Sequence, residues 1–175
     1  MADSKIAIQQ TIAHEGGYQN DPVDTGNWLN GINYGTKWGI TPHTLQAYFP
    51  QLLSDPNCVR NLDMPTAISC YQQGYWKPLY SQINDQAIAN KLFDMGVLFG
   101  VVTVTKLLQI SLNAPGEIHP VPDTGVFGEM TLAAVNDHGS VEAFKVVLIN
   151  HCMDVVNRNP ADAKYLAGWT NRIQS

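Results

Sequence analysis

The amino-acid sequence predicts a mainly α protein, and three observations carry that expectation. Apolar residues recur at helical spacing, as in Ile8 and Ile12 or in Val104, Leu107, Leu108 and Ile110. Capping and stop residues bound those segments. The stretches between them are irregular and rich in Gly, Pro, Asn and Asp, with no internal repeat and no low-complexity run. At 175 residues, with 45% hydrophobic and 14% charged content, the chain is long enough to bury a sizeable core without disulfides or metals.

Each element follows from local signals. Ser4 can cap a first helix from about Lys5 to His14, which Gly16 and Gly17 stop. Residues 18–42 are rich in Gly, Asn, Asp and Thr and read as a long loop with room for a short hairpin. Thr41 can cap, and Pro42 start, a helix continued by His43 to Phe49. Further helices are expected over about Pro65–Trp76, over Gln86–Phe99 and from Val101 onward. Residues 113–128, with Pro115, Pro120, Pro122, Gly125 and Gly128, read as loop. Helices follow at about 129–137, 140–158 and Ala161–Ile173. A soft boundary near residue 89 divides the chain into regions 1–89 and 90–175. No flexible linker marks it, so the halves are expected to form one packed body.

Composition narrows the function classes. The net charge is -5, and the ten Lys and Arg are thinly spread. Nucleic-acid binding needs clustered cations to displace counterions, so no nucleic-acid partner is expected. The same sparseness argues against an anionic membrane surface. The longest apolar stretch, near Met95 to Val104, holds two glycines and is too short to span a bilayer, so no membrane insertion is expected. The start, MADSKIAIQQ, lacks a basic segment followed by an apolar one. The expected site of synthesis is a cytoplasm, with something else carrying the product outward if it works outside. Cys58, Cys70 and Cys152 form no CxxC pair and read as reduced, mostly buried thiols. A cysteine nucleophile would need His119, His138 or His151 nearby, and no local signature supports one. The five histidines show no HExxH spacing, so no metal and no cofactor are expected.

The most informative stretch is His14-Glu15-Gly16-Gly17-Tyr18, then Asn20-Asp21-Pro22, then Thr36-Lys37-Trp38-Gly39-Ile40-Thr41. Glu15 is the only glutamate before Glu117 and falls at the end of the first helix. There the helix dipole disfavours an ionised carboxylate, and Tyr18 and Trp38 would desolvate it further. Glycosidic cleavage needs such an acid, because the leaving oxygen must receive a proton. Gly16 and Gly17 would let a sugar chain approach the backbone closely. Asp21 or Asp24 could hold an attacking water or steady an oxocarbenium ion, and Thr36 or Thr41 could orient that water. A Glu before Gly-Gly is also an ordinary solvated helix end, so spacing alone leaves both readings open. Tyr71, Tyr75, Trp76 and Tyr80 lie at helical spacing. They read first as core, with Tyr75 the candidate for sugar contact. Trp169 reads as a core anchor.

The ordered set Glu15-Gly-Gly-Tyr18, Asn20-Asp-Pro22 and Trp38-Gly-Ile-Thr41 resembles glycoside hydrolase family 108, the N-acetylmuramidases found among phage endolysins. The second half resembles the peptidoglycan-binding region that accompanies that family. The matching stretches are Leu92-Phe-Asp-Met95, Lys106-Leu-Leu-Gln109, Asp123-Thr-Gly-Val-Phe-Gly128 with Thr131-Leu-Ala-Ala-Val135, and Gly168-Trp-Thr-Asn-Arg172. The resemblance implies a lysozyme-like, mostly α fold with Glu15 as the catalytic acid. The expected substrate is the glycan strand of peptidoglycan, acted on by a monomer, with Asp21 and Thr36 as further catalytic candidates and Tyr18, Trp38, Thr41 and Tyr75 as candidate substrate contacts. A holin would release an endolysin, and an immunity protein would accompany an injected effector. Two departures stand out. The link from Thr25 to Gly35 is longer than usual and carries Trp28 and Tyr34, as surface decoration or as an added groove wall. Leu98 stands where the family often has asparagine, and it cannot replace that residue's hydrogen bonds. The competing functions are a lytic transglycosylase on the same bond and a non-catalytic wall-binding or secretion-accessory protein.

Overall fold

The computed structural model describes residues 1–113 and 120–175. Among them are eight α-helices and one two-stranded hairpin, the mainly α, lysozyme-like architecture expected. The chain divides into two compact units, Ile8–Trp76 and Met1–Ala7 with Lys77–Ser175. The compact units divide at Trp76–Lys77, and residue 89 lies inside a continuous helix. Among the described residues no helix is long and apolar enough to cross a membrane.

The first helix, α1 (Ser4–His14), is capped one residue earlier than expected. Asp3 Oδ1 accepts a first-turn amide, that of Lys5 at 2.8 Å. Ile8 and Ile12 are buried, as their spacing predicts. The hairpin pairs β1 (Trp28–Leu29) with β2 (Ile32–Asn33) antiparallel. Asn30 and Gly31 turn it with φ of 52° and 80°, the residue pair a type I′ turn favours. Thr41 caps α2 (Pro42–Tyr48) as predicted, its hydroxyl accepting the Thr44 amide at 3.3 Å. Asp63 caps α3 (Met64–Gly74), accepting the Thr66 amide at 2.9 Å. Leu29, Tyr34, Ile40, Leu45, Val59, Leu62, Ala67, Cys70 and Tyr71 are buried in this unit.

The other unit holds α4 (Gln86–Phe99), α5 (Val101–Leu112), α6 (Glu129–His138), α7 (Val141–Arg158) and α8 (Ala163–Gln174). Here α5 packs on α4, α6 and α7, and α7 packs on α8. Phe93, Met95, Leu108, Phe144 and Leu148 are buried. The motifs singled out in this half meet in pairs. Gln109 Oε1 accepts the Gly125 amide at 2.9 Å, and its Nε2 donates to the Val126 carbonyl and the Thr131 hydroxyl at 3.0 and 2.9 Å. Arg172 Nη2 donates to Asp94 Oδ1 at 2.8 Å, and Lys91 Nζ donates to the Arg172 carbonyl at 2.9 Å. Both arrangements build the fold: one ties α5 to the loop before α6, the other ties α8 to α4.

Trp169 is a weaker anchor than expected. It is half-buried, stacked on exposed Tyr165 at 5.8 Å and edge-on to Phe99 at 5.8 Å. Tyr80 lies outside α3, in a 3-10 turn at Pro78–Gln82. Cys58, Cys70 and Cys152 are free and buried, as predicted. Burial pushes the Cys70 and Cys152 thiols up to about 11 and raises that of Cys58. A thiol held so far above neutral pH is a poor source of thiolate. Of the expected 113–128 loop, Pro115, Glu117 and His119 lie outside the described residues.

Candidate active site

Helix α1 ends at His14, and the Glu15 amide closes its last turn on the Ile12 carbonyl at 3.1 Å. Glu15 is half-buried and lines a pocket of about 360 Å³ with Gln9, Ile12, Ala13, Trp38 and Met64. That volume is in the range of small-ligand sites, roughly 300–1,000 Å³. Glu15 is the one carboxylate in the lining. Beside it, a Cβ at Gly16 or Gly17 would meet nothing within 4 Å, so the backbone after the acid borders open space.

Trp38 enters the lining from a second tight hairpin turn. Lys37 and Ile40 exchange backbone hydrogen bonds at 3.1 and 2.9 Å around Trp38 and Gly39. Both central residues have positive φ, 51° at Trp38 and 71° at Gly39. Gly39 suits that geometry; a tryptophan there is strained. Several contacts hold it. The Trp38 amide donates to the Gly16 carbonyl at 3.0 Å, and the Tyr71 hydroxyl donates to the Trp38 carbonyl at 2.9 Å. Lys37 Nζ lies 4.3 Å from the Trp38 ring centroid and donates to the Arg60 and Leu62 carbonyls at 3.0 and 2.8 Å.

Asp21 and Thr36 do not line this pocket; they belong to a polar cluster centred on fully buried Asn27. The Thr36 hydroxyl donates to Asn27 Oδ1 at 2.7 Å. Asn27 Nδ2 donates to Gln19 Oε1 and to the Asp21 carbonyl, both at 2.9 Å. Gln19 Nε2 donates to Asn27 Oδ1 at 3.0 Å and to Asp24 Oδ2 at 2.9 Å. The Asp21 carboxylate accepts the Val23 amide at 2.9 Å, an Asx turn, and Asp24 Oδ1 accepts the Gly26 amide at 2.9 Å. Backbone bonds between Gln19 and Thr36, both 2.8 Å, tie this cluster to the start of the Trp38 turn.

The other predicted contacts are dispersed. Tyr18 packs against the Gly35 backbone, where a Cβ would stand 2.6 Å from its ring, and Arg60 lies 4.6 Å above that ring. The Thr41 hydroxyl is occupied as the α2 cap. Tyr75, at the end of α3, is 37% exposed with its ring 5.9 Å from Tyr71. In the lengthened link, Tyr34 is buried and donates to the Leu53 carbonyl at 3.1 Å, while exposed Trp28 donates to the Pro22 carbonyl at 3.1 Å. Sequence reasoning missed Gln19, Asn27 and Tyr71. The first two carry no motif; Tyr71 was grouped with its helix as core. Among the described residues no group of three or more His, Cys, Asp and Glu is placed to hold a metal ion.

Comparison with known proteins places this site in context. The chain is similar in structure to Brucella abortus SagA, with a TM-score of 0.67 and 24% identity over 98% of this chain and 89% of that one. At that identity the fold is what the two share. No protein with a curated description matches the chain. The family model for glycosyl hydrolase 108 matches residues 8–100, from the first residue of the Glu15-bearing unit to Gly100 after α4. With more than half of its length matched, the chain belongs to the glycosyl hydrolase 108 family and is a lysozyme-like glycoside hydrolase of peptidoglycan.

Proposed function

We propose that this protein is an N-acetylmuramidase that cleaves the bond between N-acetylmuramic acid and N-acetylglucosamine, with Glu15 as the general acid. The observation that carries the reading is Glu15 as the one carboxylate in a largely apolar pocket walled by Trp38. Protonation of the leaving oxygen needs a carboxylic acid at the reacting bond. Trp38 offers an aromatic face to a sugar ring, and the open backbone at Gly16 and Gly17 leaves room for the glycan on one side of the acid. In this reading Asp21 and Thr36 act through the Asn27 cluster that ties them to the Trp38 turn, or reach the sugar only when it is bound.

Glu15→Gln tests the assignment, because it preserves shape and removes the transferable proton. The expected outcome is a normally folded protein whose lysis of outer-membrane-stripped cells falls at least about a hundredfold, the scale of a positioned general acid. Activity within a few-fold of wild type would sink the proposal. A second reading, lytic transglycosylase, is favoured by the same single carboxylate, since attack by the muramic acid's own hydroxyl needs no activated water. Mass spectrometry of the digest separates the two: reducing muramic acid ends support hydrolysis, and 1,6-anhydro ends support the transglycosylase.

A further inference from the structure

We propose that Tyr71 is a positioning residue for Glu15, acting through the Trp38–Gly39 turn; this rests on Glu15 being the acid. Tyr71 is 2% exposed and sits on α3, with its hydroxyl directed away from that helix to the Trp38 carbonyl at 2.9 Å. Gly39 lies close to both that hydroxyl and the acid. A Cβ on Gly39 would stand 2.6 Å from Tyr71 Oη and 3.4 Å from Glu15 Oε2. The Tyr71 hydroxyl and the Glu15 carboxylate therefore both border the point where a side chain on Gly39 would begin. A side chain there would have to displace the Tyr71 hydroxyl and would touch the Glu15 carboxylate.

The turn needs holding because it is strained. Positive φ at a bulky residue is costly, and such conformations persist only where the surroundings over-determine them. Two main-chain contacts do so at Trp38. Its amide is bound to the Gly16 carbonyl, one residue past Glu15, and its carbonyl is bound to Tyr71. The first clamp links the turn to the acid's own backbone; the second links it to α3. Removing the Tyr71 hydroxyl frees one side of Trp38, whose ring is a wall of the pocket, and lets Gly39 move relative to the Glu15 carboxylate. A shift of about 1 Å in a reacting group can cost on the order of a hundredfold in rate. The loss is therefore expected in turnover, while the aromatic body of residue 71 keeps filling the core.

The test compares the full chain with Tyr71→Phe, Gly39→Ala, the double variant and Glu15→Gln. Initial rates of peptidoglycan digestion over a range of substrate concentrations give kcat and KM, and circular dichroism gives the folded fraction. Tyr71→Phe should lower kcat about tenfold or more, with KM within about twofold of wild type and the protein fully folded at the assay temperature. Gly39→Ala should lower kcat in the wild-type background and cost less when added to Tyr71→Phe, because the hydroxyl it strikes is gone. Wild-type kcat in Tyr71→Phe beside an inactive Glu15→Gln would overturn the positioning role and leave the acid in place. A kcat loss that vanishes once rates are normalised to folded protein would overturn it as well. An active Glu15→Gln would instead remove the reading on which the inference rests.

Discussion

Replacing Arg172 by methionine removes the guanidinium that holds Asp94 and leaves the rest of α8 unchanged. Arg172 Nη2 lies 2.8 Å from Asp94 Oδ1, with its Nε at 3.2 and 3.3 Å from the two carboxylate oxygens. The side chains are 15% and 7% exposed, so water cannot replace the lost donor. Breaking a buried pair from one side costs roughly 3–5 kcal/mol, mostly the penalty of an uncompensated charge. Lys91 softens that penalty here. It is buried nearby and donates to the Arg172 carbonyl; burial holds its ammonium below the usual lysine range, and the Asp94 charge opposes that shift. The expected loss is therefore near the lower bound, about 3 kcal/mol, and at about 2–4 °C per kcal/mol for a chain of this size the melting temperature should fall by roughly 6–12 °C. The assay is thermal unfolding by circular dichroism. Asp94→Leu combined with Arg172→Met should recover only part of the loss, since the uncompensated carboxylate is gone but buried Lys91 loses the charge that supports its ammonium. A single variant that melts within 2 °C of wild type, or lysis that collapses at 25 °C with no change in melting, would refute the reasoning and assign Arg172 to ligand contact.

Asn27→Ala removes four side-chain hydrogen bonds from a fully buried residue. At about 0.5–1.5 kcal/mol each, and with exposed Gln19 free to rehydrate, the expected cost is about 2–4 kcal/mol in a urea titration, together with reduced lysis through the Gln19–Thr36 link; an unchanged midpoint would contradict it. Asp63→Ala removes the α3 cap. Side-chain and backbone hydrogen bonds to Thr66 hold the Asp63 carboxyl below the usual range, so its contribution is fully present above the unfolded value near pH 4 and is lost as pH falls through the lower folded value. The gap in melting temperature between wild type and Asp63→Ala should be constant above about pH 5 and close in acid; a gap independent of pH would mean that the cap does not act through the ionised carboxylate.

How much of this was legible depended on whether a signal was local. Helix α4 was expected over roughly Gln86–Phe99 and lies there, with Asp85 capping it and Gly100 following it. The α2 cap was read from Thr41-Pro42 alone. The α1 cap was missed by one position because Asp3 and Ser4 are both good capping residues, and which of them enters the helix depends on how the chain start folds back. Asp3 does so through Gln86, 83 residues away, which accepts its amide at 2.7 Å. Glu15 and Trp38 were legible as candidates because a motif marks both, and both line one pocket. Asp21 and Thr36 were chosen as acidic and hydroxyl groups near that motif, and spacing could not show that Asn27 binds the Thr36 hydroxyl and the Asp21 carbonyl from inside the fold. The Tyr71 contact spans 33 residues and depends on where α3 docks, so only the tertiary structure separates it from ordinary core aromatics. The division between the compact units was illegible for the same reason. Lys77-Pro78 opens a 3-10 turn with no linker composition, and the contacts that define each unit are not written in local sequence.

The Glu15-bearing unit contains two tight turns with positive φ at both central residues, and their difference bears on function. Asn30-Gly31 uses the residues such a turn prefers and closes a hairpin that faces solvent on both central positions. Trp38-Gly39 uses the same backbone form with a tryptophan in the position where asparagine would relieve the strain, at a cost of order 1–3 kcal/mol. An Asn-Gly turn at 38–39 would close the hairpin equally well, so backbone closure does not account for the tryptophan. What the ring adds is a wall of the Glu15 pocket, supported by the Lys37 ammonium on its face. The strain is offset by bonds made elsewhere in the unit, from Gly16, Tyr71, Arg60 and Leu62. Three of those four partners lie outside the motif that contains the tryptophan and the acid. The motif can therefore be present in a chain and still fail to form the site, unless α3 and the segment before it supply the carbonyls and the hydroxyl that keep the turn in place.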